Sequence, residues 1–116
     1  MADFGNVIKV ELADAKEQFT TLLVGLANEK ELNIVNVTVE DLYDAYHENE
    51  PQYEYFLHYE IKGKPKESLW LRMLHKQYDF NTNKLYGFYE VKESIFSRSI
   101  WDFEFGDYAT EMSKSF

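Results

Sequence analysis

Residues 53–61 read Tyr-Glu-Tyr-Phe-Leu-His-Tyr-Glu-Ile, and the fold turns on how this stretch is understood. Side chains of a β-strand alternate between its two faces. Tyr53, Tyr55, Leu57, Tyr59 and Ile61 therefore point one way, and Glu54, Phe56, His58 and Glu60 the other. A helix, which repeats about every 3.6 residues, would scatter both sets around its axis. The stretch predicts a strand with one strongly apolar face.

Downstream, Gly63-Lys64-Pro65-Lys66 is a turn, and Ser68 to Tyr78, rich in Leu and Trp, is a second strand. Asn81-Thr82-Asn83 makes the next turn, and Leu85 to Lys92 a third strand. Strands joined by short turns form an antiparallel meander. Trp101, Phe103 and Phe105 alternate with Ile100, Asp102 and Glu104, which predicts a fourth strand over 99–105; a loop or short helix follows from Gly106.

Upstream the period changes. Leu12, Ala15, Phe19, Leu22, Leu23 and Leu26 recur at three- and four-residue spacing, one stripe of an amphipathic helix over about 14–31. Asp14 with Glu17 resembles a capping box, and Asn33 is placed just past the helix end. Ile34-Val35-Asn36-Val37 is a short extended segment. Thr38 followed by Asp41 reads as a second helix start, with Leu42, Ala45 and Tyr46 facing inward and Pro51 closing the helix near residue 49. The expected architecture is one α+β domain over 1–116: two N-terminal helices packed on a three- to four-stranded antiparallel sheet.

The charges are distributed unevenly. The formal net charge is −9 over 116 residues. Residues 1–60 hold 13 acids and 3 bases, whereas residues 61–116 hold 8 acids and 9 bases. Between Lys30 and Lys62 there is no lysine or arginine, yet Glu31, Glu40, Asp41, Asp44, Glu48, Glu50, Glu54 and Glu60 lie there. A second basic-free stretch, between Arg98 and Lys114, carries Asp102, Glu104, Asp107 and Glu111. Uncompensated like charge opposes folding, so a basic partner is the natural reason to keep it. An acidic surface also keeps a protein soluble. Direct binding to nucleic acid or to anionic membranes is disfavoured.

Aromatic residues make up 17% of the chain, which separates it from disordered acidic tails. Cysteine is absent, so disulfide and thiol chemistry are excluded, in keeping with a cytoplasmic setting. The N-terminal Met1-Ala2-Asp3-Phe4-Gly5 lacks the features of a signal peptide, and no apolar run approaches the roughly 20 residues that span a bilayer. There is no phosphate loop, nucleophile elbow or zinc-binding histidine pair. His47, His58 and His75 are well separated and are expected as surface or sheet histidines. No catalytic, cofactor-binding or metal-ligating residue is expected.

On the expected second helix, Glu40, Asp44 and Glu48 fall at i, i+4 and i+8, one outward row with about 6 Å between neighbours. Asp41 flanks that row, and Glu50, Glu54 and Glu60 carry the negative potential onto the first sheet strand. A carboxylate row approximates a line of phosphates, and a protein gripping DNA by its backbone reads charge and spacing rather than bases. Tyr43, Tyr53 and Tyr55 would add contact area.

In size, acidity, lack of cysteine and aromatic richness the chain resembles the small bacterial DNA-mimic proteins, in particular the compact, monomeric kind that binds the histone-like nucleoid protein HU. The resemblance implies a basic DNA-binding partner and competition with DNA, with Glu40, Asp41, Asp44, Glu48, Glu50, Glu54, Glu60, Asp102, Glu104 and Asp107 as the partner-binding set. The near-neutral second half, with Lys62, Lys64, Lys66, Arg72 and Lys76, confines such a surface to one side. Two alternatives stand beside it: an immunity protein capping a basic nuclease toxin, and a small enzyme of unrecognised type.

Overall fold

A computed structural model of the chain describes residues 7–42, 52–92 and 102–116. Five strands, β1 (Ile8–Glu11), β2 (Ile34–Asp41), β3 (Glu54–Ile61), β4 (Glu67–Asp79) and β5 (Lys84–Lys92), form one antiparallel sheet in the order β1-β5-β4-β3-β2. Helices α1 (Ala15–Glu29) and α2 (Asp102–Ser113) pack on the same face of it. A short 3-10 turn, Leu12–Asp14, leads from β1 into α1.

The meander is as expected. Tyr55, Leu57, Tyr59 and Ile61 of β3 join Leu69, Leu71 and Met73 of β4, Tyr89 of β5 and Ile8 and Val10 of β1 in the core. The α1 stripe closes over them, with Phe19 edge-on to Tyr89 at 5.1 Å and to Tyr55 at 5.5 Å. Gly63 (φ +85°) and Asn83 (φ +61°) take left-handed conformations in the two turns. Asp79 Oδ1 accepts the backbone N–H of Asn81 at 2.8 Å, an Asx turn that fixes the β4–β5 hairpin.

Three expectations are corrected. First, the sheet has five strands, because Ile8-Lys9-Val10-Glu11 also alternates and pairs with β5, Ile8 opposite Tyr89. Second, the second helix is C-terminal. Residues 38–41, expected to start a helix, belong to β2: Thr38 pairs with His58 and Asp41 with Tyr55. The β-branched run Ile34, Val35, Val37, Thr38 and Val39 prevails over the helix-start signal at Thr38 and Asp41. The rest of that expected helix, residues 43–49, lies outside the described residues.

Third, residues 102–105 of the expected fourth strand open α2 instead, while 99–101 lie outside the described residues. The alternation Trp101, Phe103, Phe105 competes with a helical stripe, and the stripe prevails. Phe105, Ala109 and Ser113 fall at i, i+4 and i+8 and are all almost completely buried. Two bulges bend the sheet, between Val35 and Thr38 and between Met73 and His75.

Candidate interaction surface on the open sheet face

Because both helices cover the face that carries Tyr55 and Leu57, the even positions of β3 lie on the opposite face, which carries no helix among the described residues. Backbone pairing organises that face further. Met73 N–H donates to Tyr53 O at 2.8 Å, so the odd positions of β3 exchange hydrogen bonds with β4. The pairs Glu54–Arg72, Phe56–Trp70 and His58–Ser68 are then the non-hydrogen-bonded ones, whose side chains stand closest.

Each pair is in contact with its surroundings. Glu54 is only 7% exposed and accepts the indole N–H of Trp70 at 2.8 Å. Arg72 Nε donates to Tyr53 OH at 2.9 Å, and the guanidinium lies over that ring. This hydrogen bond is the main reason the Arg72 pKa rises above its ordinary value. Phe56 packs between His58 and Trp70, with ring centroids 5.7 and 6.3 Å away. His58 bridges three strands: Nε2 is 2.9 Å from Glu40 Oε1 of β2, and Nδ1 is 2.6 Å from Ser68 Oγ of β4. A neutral ring protonated on Nε2 satisfies both contacts. Further along, His75 stacks flat on Phe88 at 4.5 Å.

A chain of acid, imidazole and serine invites a catalytic reading. A serine nucleophile needs an open approach and nearby donors for the developing oxyanion. Ser68 is 6% exposed, and neither His58 nor His75 lines the clefts of about 420, 430 and 410 Å³ beside Leu12, Phe80 and Val37. The contacts fix the imidazole across the sheet. No group of three or more potential ligands that could hold a metal ion is found among the described residues.

The acids singled out by sequence are divided among different surfaces. Glu40, Glu54 and Glu60 share the open face; Glu40 is 60% exposed, and Glu60 accepts a hydrogen bond from Asn36 Nδ2 at 3.2 Å. Asp41 points to the other side and pairs with Lys16 of α1 at 3.0 Å. Glu104 pairs with Lys30, tying α2 to the end of α1, and Asp107 is exposed on α2. Asp102 opens α2, while Asp44, Glu48 and Glu50 lie outside the described residues. The helical row of Glu40, Asp44 and Glu48 is corrected, since Glu40 sits in a strand.

Sequence reading gave no role to Phe56, Ser68 or Trp70. The signal for Phe56 was present in the alternation of β3, but the partners of that strand are fixed only by register. No helix among the described residues is long and apolar enough to cross a membrane. No family model, no curated protein and no solved structure matches this chain.

Proposed function

We propose that the protein binds a basic, DNA-binding partner and competes with DNA for the partner's Lys/Arg surface. The observation that carries this reading is the sheet face opposite the two described helices. It has a half-buried aromatic centre, Phe56 and Trp70, flanked by the carboxylates of Glu40 and Glu60. Aromatic centres with charged rims are the usual anatomy of a protein interface. A net charge of −9 steers such a surface toward cations before contact.

The mode differs from a regular row of phosphate substitutes on a helix. Glu54 and Glu60 are six residues apart on one strand, about 20 Å, and Glu40 approaches between them from β2. Charge and aromatic area act together, and Glu54 serves by holding Trp70 in place.

The test is displacement. The protein is titrated into a preformed complex of the histone-like nucleoid protein HU with a labelled DNA duplex. The expected result is release of the duplex at low ionic strength. Release should weaken as the screening length falls from about 30 Å at 0.01 M salt to about 10 Å at 0.1 M. The double variant Glu40→Gln/Glu60→Gln should lose most of the effect. Displacement undiminished in that variant, or none by the native protein at low salt, overturns the reading. Salt-resistant capture of a basic nuclease, without displacement of DNA from HU, would favour the antidote mode instead.

A further inference from the structure

β2 is an outer strand of the sheet, paired with β3 on one side and, among the described residues, with nothing on the other. Its register reveals which backbone groups are left over. Leu42 N–H donates to Glu54 O at 3.1 Å, so Leu42, and at two-residue steps Glu40 and Thr38, turn their backbone groups toward β3. Val39 and Asp41 therefore direct their N–H and C=O groups away from the sheet. A strand edge with free donors and acceptors is a template for another strand.

The edge also has a floor. Thr20, Thr21 and Glu17 of α1 face Val37 and Val39 of β2 across an open groove of about 410 Å³. A strand laid along β2 would send alternate side chains into this groove and the others over the open face beside Thr38 and Glu40.

Charge selects the occupant. Among the described residues, Glu17, Glu40 and Asp41 border the edge against one cation, Lys16, which is already paired with Asp41. Two copies of a chain carrying −9 repel each other, and the bulge at Asn36 (φ +53°) interrupts the regular edge that self-pairing needs. A cationic strand meets attraction instead of repulsion. We infer that the open edge of β2 accepts an extended, Lys/Arg-bearing segment of a partner protein as a sixth strand, with small or β-branched side chains in the α1–β2 groove and cationic ones over Glu40. The choice of a basic segment rests on the function proposed above; the availability of the edge does not.

A synthetic peptide of alternating valine and lysine serves as the probe, followed by backbone amide NMR. Binding should slow the exchange of the Val39 and Asp41 amides, which exchange quickly in the free protein, and shift signals over residues 37–41. Val39→Pro removes an outward N–H that no strand among the described residues uses, so the sheet should form and peptide affinity should fall at least tenfold. Thr21→Lys, at an exposed helix position, should weaken binding several-fold by placing a cation in the groove without disturbing the fold. The inference is overturned if the peptide fails to bind, or if its shifts map elsewhere. It is equally overturned if both variants bind like the native protein, or if the two amides are already protected in the free chain or in a dimer of it. Peptide docking at β2 together with failure to displace DNA from HU would leave the edge standing and remove the competition reading. Displacement of DNA without docking at β2 would do the reverse.

Discussion

Glu31 closes α1 in a conformation that its side chain disfavours. Its φ is +55°, its N–H donates to Asn28 O at 3.1 Å, and the N–H of Leu32 donates to Ala27 O at 2.9 Å. These two bonds form a Schellman cap, whose left-handed position is normally glycine. A residue with a Cβ pays roughly 1–2 kcal/mol to sit there. Glu31→Gly should therefore raise stability by about 0.5–1 kcal/mol, after allowing for the greater freedom of glycine in the unfolded chain. Urea denaturation checks this, and a lower midpoint would show that the cap is not under strain. The sequence reading runs the helix to about residue 31 and places Asn33 just past its end, two residues beyond the observed left-handed cap at Glu31. Composition favours asparagine there, and only the hydrogen-bond count identifies Glu31.

At the level of elements, Gly87 shows why β5 can pass beneath the β1–α1 junction. A Cβ built there would lie 2.6 Å from Leu12 Cδ2 and 2.7 Å from Tyr89 Cε1. Gly87→Ala should cost about 1–3 kcal/mol through overpacking, read as a lower thermal or urea midpoint. An unchanged midpoint would mean that Leu12 can move aside freely. The same level explains what the sequence disclosed. The β3–β4–β5 meander and α1 were legible because their periodicities are long and unmixed. The start of β2 at 34–37 was legible as extended, and a short helix after Gly106 was one of two readings there, but residues 38–41 and 102–105 were misread because each stretch carries two signals: Thr38 and Asp41 imitate a helix start inside a β-branched run, and Phe103 and Phe105 imitate a strand inside a helical stripe. Tertiary contact decides between such signals, and neighbouring residues do not. The candidate surface was legible only in part. Glu40, Glu54 and Glu60 could be named, but their shared face depends on which side the helices cover.

Across the whole molecule, the buried tyrosines set the response to alkali. Burial, reinforced by the charge of Asp41 and opposed by the hydrogen bond with Tyr89, pushes the Tyr55 pKa up to about 12. Burial, with the neighbouring Tyr55, raises that of Tyr89 further. Both phenols stay neutral in the folded state, whereas unfolded tyrosines ionise near pH 10. The stability they contribute is therefore complete below about pH 10 and is lost as pH rises toward and beyond the folded values. Urea midpoints measured on either side of about pH 10 should fall on the alkaline side, with tyrosinate absorbance appearing together with unfolding. Ionisation of all tyrosines before any loss of structure would contradict the burial of these two.

The pairing of β1 with β5 has a consequence during synthesis. Ile8 finds its partner only when Tyr89 has been made, roughly 4–16 s later at ribosomal speeds of 5–20 residues per second. Until then the apolar side of the first strand has no sheet to join, while the central hairpins close from neighbouring segments as they emerge. The nascent chain therefore carries Ile8 and Val10 without their sheet partner until β5 has emerged, an apolar edge that a chaperone could shield.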